Sequence, residues 1–160
     1  MNALAKSLLA GFAATAVLVA VRNTFWAVEP AEVRERERRL REGFEATSLQ
    51  VPVREASRAL GVPLRPRVEA QVATGLAWLL GVLGVVGYAA LRRRAPVVAA
   101  AGGALFGLAV WLVEDEGIIP ALGWAKPPGA YPWQAHARGL AAHVAYGVAA
   151  ERALAALDRA

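Results

Sequence analysis

The chain has 160 residues, enough for one domain, of which 57% are hydrophobic and only 19% charged, with a mean hydropathy of +0.38. Soluble domains average roughly 45–50% apolar and about 25% charged residues, so part of this surface has to face something other than water. The absence of cysteine excludes disulfides, thiolate metal sites, iron–sulfur clusters and cysteine nucleophiles. The excess of 18 Lys and Arg over 13 Asp and Glu, a net +5, falls at membrane ends and loops and does not form a nucleic-acid patch.

Four apolar stretches are predicted as membrane-crossing helices: residues 4–21, 70–91, 96–113 and 139–157. Each has about the length that spans roughly 30 Å of hydrocarbon at about 1.5 Å per residue. The first carries Lys6 and Ser7 near its start and ends at Arg22, Asn23, Phe25 and Trp26, as an interfacial anchor does. A cleaved signal peptide is the other reading of it, but the small pair Ala14 and Ala16 falls inside the apolar run.

Residues 22–69 form one long charged loop. From Pro30 to Glu45 it reads as a helix with Pro30 at the first position and i,i+4 pairs Glu32–Arg36, Glu35–Arg39, Glu37–Arg41 and Arg38–Glu42. Its few apolar positions, Val33, Leu40 and Phe44, suit a solvated helix resting a narrow stripe on the end of the bundle; a partner-binding or lipid-surface helix is the alternative. Pro52 to Leu60 reads as a second short helix, stopped by Gly61 and Pro63.

Only Arg92, Arg93, Arg94 and Ala95 separate the second and third stretches, which predicts a tight antiparallel hairpin. Residues 114–138 then connect to the fourth, which Glu151 and Arg152 interrupt in its last turns, where they can snorkel to headgroups. Trp26, Trp111, Trp124, Tyr131 and Trp133 are expected to form an aromatic girdle on one membrane face. Four spans put both termini and the Arg92–Arg94 turn on one side, with six of the 18 basic residues; the other side holds twelve. Counting alone favours a cytoplasmic loop, yet the triple-arginine turn is short, uncompensated and wedged between spans, so it and the termini are placed in the cytoplasm.

Each stretch carries small residues at helical spacing, which let membrane helices approach closely: Ser7, Gly11 and Thr15; Ala73, Ala77 and Gly81; Ala99, Gly103 and Gly107; Gly139 and Gly147. Extended along their helices, these stripes meet Arg22, Glu69, Glu114 and His143. Up-down connectivity places those four in the same half of the bundle, with Asp115 and His136 nearby. Such a polar cluster is a functional candidate in a membrane; the alternative is that its members are span-end residues reaching water.

His136 and His143 stand about 10.5 Å apart along a helix, too far to share one ion, so no metal is expected. No HExxH, phosphate loop or GxSxG elbow occurs, so no catalytic residue, enzymatic activity or cofactor is expected either.

The pieces Leu8-Leu9-Ala10-Gly11-Phe12-Ala13-Ala14-Thr15, the proline-containing segment from Val51 to Leu64, the stretch from Gly107 to Gly123 with its acidic cluster, and His143-Val144-Ala145-Tyr146-Gly147 follow one another in an order that resembles the YagU-like family of small bacterial inner-membrane proteins. The resemblance implies a bacterial inner-membrane location and a connection with acid stress, and it carries over no catalytic residues. The segment from Pro30 to Glu45 has no counterpart in it.

The expected protein is therefore an all-α integral membrane four-helix bundle with a long charged helical loop between helices 1 and 2. It is a non-enzymatic protein in contact with the lipid bilayer, whose polar cluster responds to protons or admits a small solute. The alternative is an accessory or scaffolding subunit, its stripes serving a homo-oligomer or a membrane-complex partner.

Overall fold

Proline sets most of the helix boundaries. A residue before proline is pushed out of helical torsions, and Glu29, Arg65 and Ala95, each followed by one, have ψ of 147°, 147° and 84°. The computed structural model describes residues 1–41 and 47–159. Its elements are α1 (Ala3–Val28), α2 (Ala31–Leu40), α3 (Gln50–Ala59), α4 (Pro66–Arg94), a 3-10 segment (Pro96–Gly103), α5 (Ala104–Val113), a π-turn (Glu114–Ile118), α6 (Ile119–Ala121), a 3-10 turn (Pro128–Ala130) and α7 (Trp133–Arg159). No strand occurs among the described residues. Three stretches, Ala3–Val28, Pro66–Arg94 and Pro96–Ala121, are long and apolar enough to cross a membrane.

The third stretch is not the continuous helix expected over 96–113. Ala101, Gly102 and Gly103 have φ of 55°, 61° and 87°, left-handed values that end the 3-10 segment, so regular helix begins only at Ala104. It then outruns its expected end. The Ile119 N–H reaches back five residues to the Glu114 carbonyl, making a π-turn just before Pro120, which has no N–H to donate. The three acidic residues of the chain's EDE run occupy that turn.

The fourth stretch is a helix, but α7 starts at Trp133 and is not among the three apolar enough to span, because Arg138, His143, Glu151, Arg152 and Asp158 lie within it. It is the central element. Both α1 and α5 pack along α7, and α1 also packs on α4. The small-residue stripes lie in these contacts: Ser7, Gly11 and Thr15 are buried, and a Cβ at Gly11 would stand 2.9 Å from the Val82 carbonyl oxygen. Between α5 and α7, a Cβ at Gly103 would collide with the Gly147 carbonyl, and one at Gly107 with that of His143.

Ala10, Ala14, Val85, Tyr88, Ala89, Tyr146, Ala150 and Leu154 form a buried core in the half that holds both termini. The expected tight hairpin between the second and third stretches is only partly realised. Their link is short, but α4 packs on the 3-10 segment and meets α5 through the stacked rings of Tyr88 and Phe106, with centroids 4.3 Å apart. Arg92 donates to Glu151 at 2.8 Å and to Asp158, and the Tyr88 hydroxyl donates to Glu151 at 2.6 Å. Glu151 is thus held inside the end of the bundle and does not snorkel, and the arginine turn is not uncompensated. Lys6 caps α7 by donating to the Leu157 carbonyl.

Candidate functional site: a polar cavity in one half of the bundle

At the opposite end, a partly open cavity of ≈ 340 Å³ lies between α1, α4, α5, the π-turn and α7, with Arg41, Thr47, Ser48 and Leu49 also in its wall. Arg22, Glu114, Asp115, His136 and His143 all line it, so the structure brings together five of the six residues singled out in the sequence. The sixth, Glu69, is elsewhere. It is buried on the first turn of α4 and accepts a 2.9 Å hydrogen bond from Arg54 Nε, which docks α3 onto α4. A pairing partner in the loop therefore removes Glu69 from the cluster.

Each histidine of the chain faces a carboxylate of the π-turn. His136 Nδ1 lies 2.6 Å from Glu116 Oε1 while its Nε2 lies 3.1 Å from the Pro128 carbonyl. A carboxylate and a carbonyl thus flank the two ring nitrogens, which can donate to both only when each carries a proton. His143 Nδ1 is 2.9 Å from the Gly139 carbonyl and 3.7 Å from Asp115 Oδ2, which makes Nδ1 the donor to its own helix and leaves Nε2 free of hydrogen bonds among the described residues. Glu114 and Asp115 accept no hydrogen bond from the described residues. Deeper in, the Tyr146 hydroxyl donates to the Gly81 carbonyl at 2.6 Å. Thr15 Oγ1, beside Gly81, is the one buried side-chain polar atom among the described residues that has no partner.

The residue that the sequence reading missed is Arg138. Assigned there to the connecting loop, it lies within α7, is 4% exposed, and is held from two directions. Its Nη1 donates to both oxygens of Glu29 at 2.5 Å, and its Nη2 donates to both oxygens of Glu37 at 2.7 and 2.6 Å. The guanidinium also sits 4.9 Å from the centre of the Trp26 ring. Glu37 is fully buried and accepts from Arg41 as well, at 2.9 Å. Arg34 donates to the carbonyls of Trp26 and Ala27 at the end of α1, at 3.3 and 3.1 Å.

The charged segment is thus fastened to α7 by a buried ion network. Its expected apolar stripe contributes only half-buried Val33 and Leu40, with Glu37 between them; Glu42, Phe44 and Glu45 lie outside the described residues. Pro30 precedes α2 and is not its first residue. Of the expected pairs, Glu35–Arg39 closes at 3.5 Å between exposed side chains, and Glu37–Arg41 at 2.6 Å. The aromatic residues divide their roles: Trp26 covers Arg138, Trp111 and Tyr131 line the cavity, and Trp133 is exposed.

Comparison with family models, curated proteins and solved structures finds no match to this chain.

Proposed function

We propose that this is a small, non-enzymatic, multi-pass membrane protein in which α1, α4, the broken α5 stretch and α7 form a four-helix bundle, with a cavity that senses protons. The observation that carries the reading is that both histidines of the chain stand against carboxylates of one π-turn in one cavity. Histidine is the side chain suited to changing charge in mild acid, so an imidazole set against carboxylates is the arrangement that a proton sensor uses. The groups facing His143 are Glu114 and Asp115, with Arg22 across the cavity and Tyr146 one turn further along α7. Placement in a bacterial inner membrane, with the termini cytoplasmic, and membership in the YagU-like family belong to the same proposal.

The test is tryptophan fluorescence between about pH 5 and 7, with Trp111 beside the cavity as reporter, in the wild type and in His143→Ala, His136→Gln and Glu114→Gln. The chain has only two histidines, so a transition in that range that survives all three substitutions refutes the reading. The alternative, an accessory subunit, is supported by the exposed outer face of α2, which carries charges of both signs, Glu32 and Glu35 beside Arg36, Arg38 and Arg39. It predicts co-purification with a larger complex after mild detergent extraction.

A further inference from the structure

We propose that the cavity is a laterally open site for a small zwitterionic head group, an ammonium joined through a few bonds to a phosphate or carboxylate. The proposal rests on α1, α4 and α5 lying in a membrane.

Many of the polar wall groups are already used. Arg138 is held by Glu29 and Glu37, His136 by Glu116 and Pro128, and the Tyr146 hydroxyl by Gly81. Four charged groups of the wall remain: the carboxylates of Glu114 and Asp115, the exposed Lys126 ammonium, and the Arg22 guanidinium, which forms no ion pair within 4.0 Å among the described residues. A simple cation would leave Arg22 unanswered, and a simple anion would face two carboxylates. A zwitterion satisfies both sides. No three His, Asp or Glu side chains among the described residues are grouped to hold a metal ion, so the compact alternative lacks its ligand set.

The walls fit an ammonium in other ways. Trp78 and Trp111 line the cavity, and indole is the ring that attracts organic cations best. The buried Thr15 hydroxyl, unpartnered, stands at the inner end. The volume of ≈ 340 Å³ lies at the small end of ligand sites, which run from roughly 300 to 1,000 Å³.

Access comes from the side. Helices α4 and α5 are linked through the 3-10 segment and meet at the Tyr88–Phe106 stack, and their backbones pack on each other much less than either packs on its other neighbours. Thr74 and Leu80 of α4 line the cavity and are also exposed on the outer surface. A lipid head group or a free zwitterion can supply the same chemistry.

The test measures thermal stabilisation and Trp111 quenching of the detergent-purified chain with four probes: dihexanoylphosphatidylethanolamine, O-phosphoethanolamine, dihexanoylphosphatidylglycerol and ethylammonium. The two ethanolamine phosphates are expected to bind at least about tenfold more tightly than the other two, the size of effect that one hydrogen bond to a charged group supplies. Binding of the lipid form alone identifies a lipid as the source; equal binding of both identifies a free zwitterion. Glu114→Gln with Asp115→Asn should abolish binding while the ligand-free melting temperature stays near that of wild type, and Arg22→Gln should reduce phosphatidylethanolamine to the level of ethylammonium.

Should the double variant fail to fold, Thr74→Trp on the exposed flank blocks the lateral gap, and it should weaken the lipid probe more than O-phosphoethanolamine. Equal binding of phosphatidylglycerol, unaltered binding by the variants, or binding of no probe overturns the proposal. These results separate cleanly from the proton response: lost ligand binding with an intact mild-acid transition sinks only the ligand, and the converse sinks only the sensor.

Discussion

Arg138→Met is the sharpest perturbation of this architecture. It deletes a 4% exposed guanidinium that carries four hydrogen bonds to two carboxylates, Glu29 and Glu37, whose side chains are 7% and 0% exposed. Removing one member of a buried ion network strands the others without solvent, at a cost of about 3–5 kcal/mol. Arg41 still reaches Glu37 at 2.6 Å, so the expected loss is at the low end, about 3 kcal/mol, and most of it comes from Glu29. At roughly 2–4 °C per kcal/mol for a chain of this size, the melting temperature in detergent should fall by about 6–12 °C.

The triple change Arg138→Met, Glu29→Gln, Glu37→Gln removes every charge of the central pair set together and should recover most of the loss, because neutral replacements of whole buried networks are often tolerated. A cysteine at half-buried Val33 should become more reactive in the single variant than in the triple one, since the network fastens α2. A loss below about 1 kcal/mol for Arg138→Met, the range of an exposed surface pair, would refute the claim that this network is desolvated and holds α2.

Gly107→Leu should cost about 1–3 kcal/mol or more in detergent melts by driving α5 off the His143 carbonyl, whereas Ala109→Leu, on the exposed side of α5, should change stability by less than about 0.5 kcal/mol. Thr15→Val should be neutral or stabilise by up to about 1 kcal/mol in the ligand-free protein, because it replaces an unpartnered buried hydroxyl by a methyl of similar size. Cysteines placed at Asn2 and Asp158 should react alike with an impermeant thiol reagent in intact cells; opposite labelling would exclude a fourth crossing by α7, and a shared exterior location would reverse only the orientation.

What could be read from the sequence was what repeats along one helix or depends on one peptide bond. Small residues four apart mark a helix face whatever that face meets, so Ser7, Gly11 and Thr15 disclosed the α1 contact, and the convergence of Arg22, Glu114, Asp115, His136 and His143 followed from up-down connectivity. The partners of buried charges are set by positions far apart in the chain: Arg138 finds Glu29 and Glu37 at separations of 109 and 101 residues. A signal was nevertheless present. Val33, Glu37 and Leu40 share one helix face, so Glu37 breaks the only apolar stripe of a charged helix, and such a break asks for a buried cation. Glu69 misled for the same reason, since its neighbours on α4 gave no hint of Arg54. The break at Ala101 to Gly103 did have a signal in the Gly102-Gly103 pair, which the apolar run around it outweighed, and Gly103 there packs on α7.

The two halves of the bundle differ in a way that bears on mechanism. On the side of the termini, Tyr88, Phe106 and Tyr146 form a continuous ring contact, with centroids 4.3 Å apart for the first pair and 5.7 Å for the second, over a floor of alanine, valine and leucine. The polar cavity ends at that contact, where the Tyr146 hydroxyl is already committed to the Gly81 carbonyl. A continuous polar path across the bundle would need these rings to separate and their buried apolar neighbours to be hydrated, and among the described residues of that half Glu151 is occupied by Tyr88 and Arg92, Ser7 by the Ala3 carbonyl and Lys6 by the Leu157 carbonyl. A change of charge at His143 or Asp115 has its nearest mechanical outlet in the α5–α7 contact instead, because the His143 carbonyl bears directly on Gly107 and leaves no slack between the two helices. On the proposed reading, movement of α5 against α7 is the step that would transmit a signal.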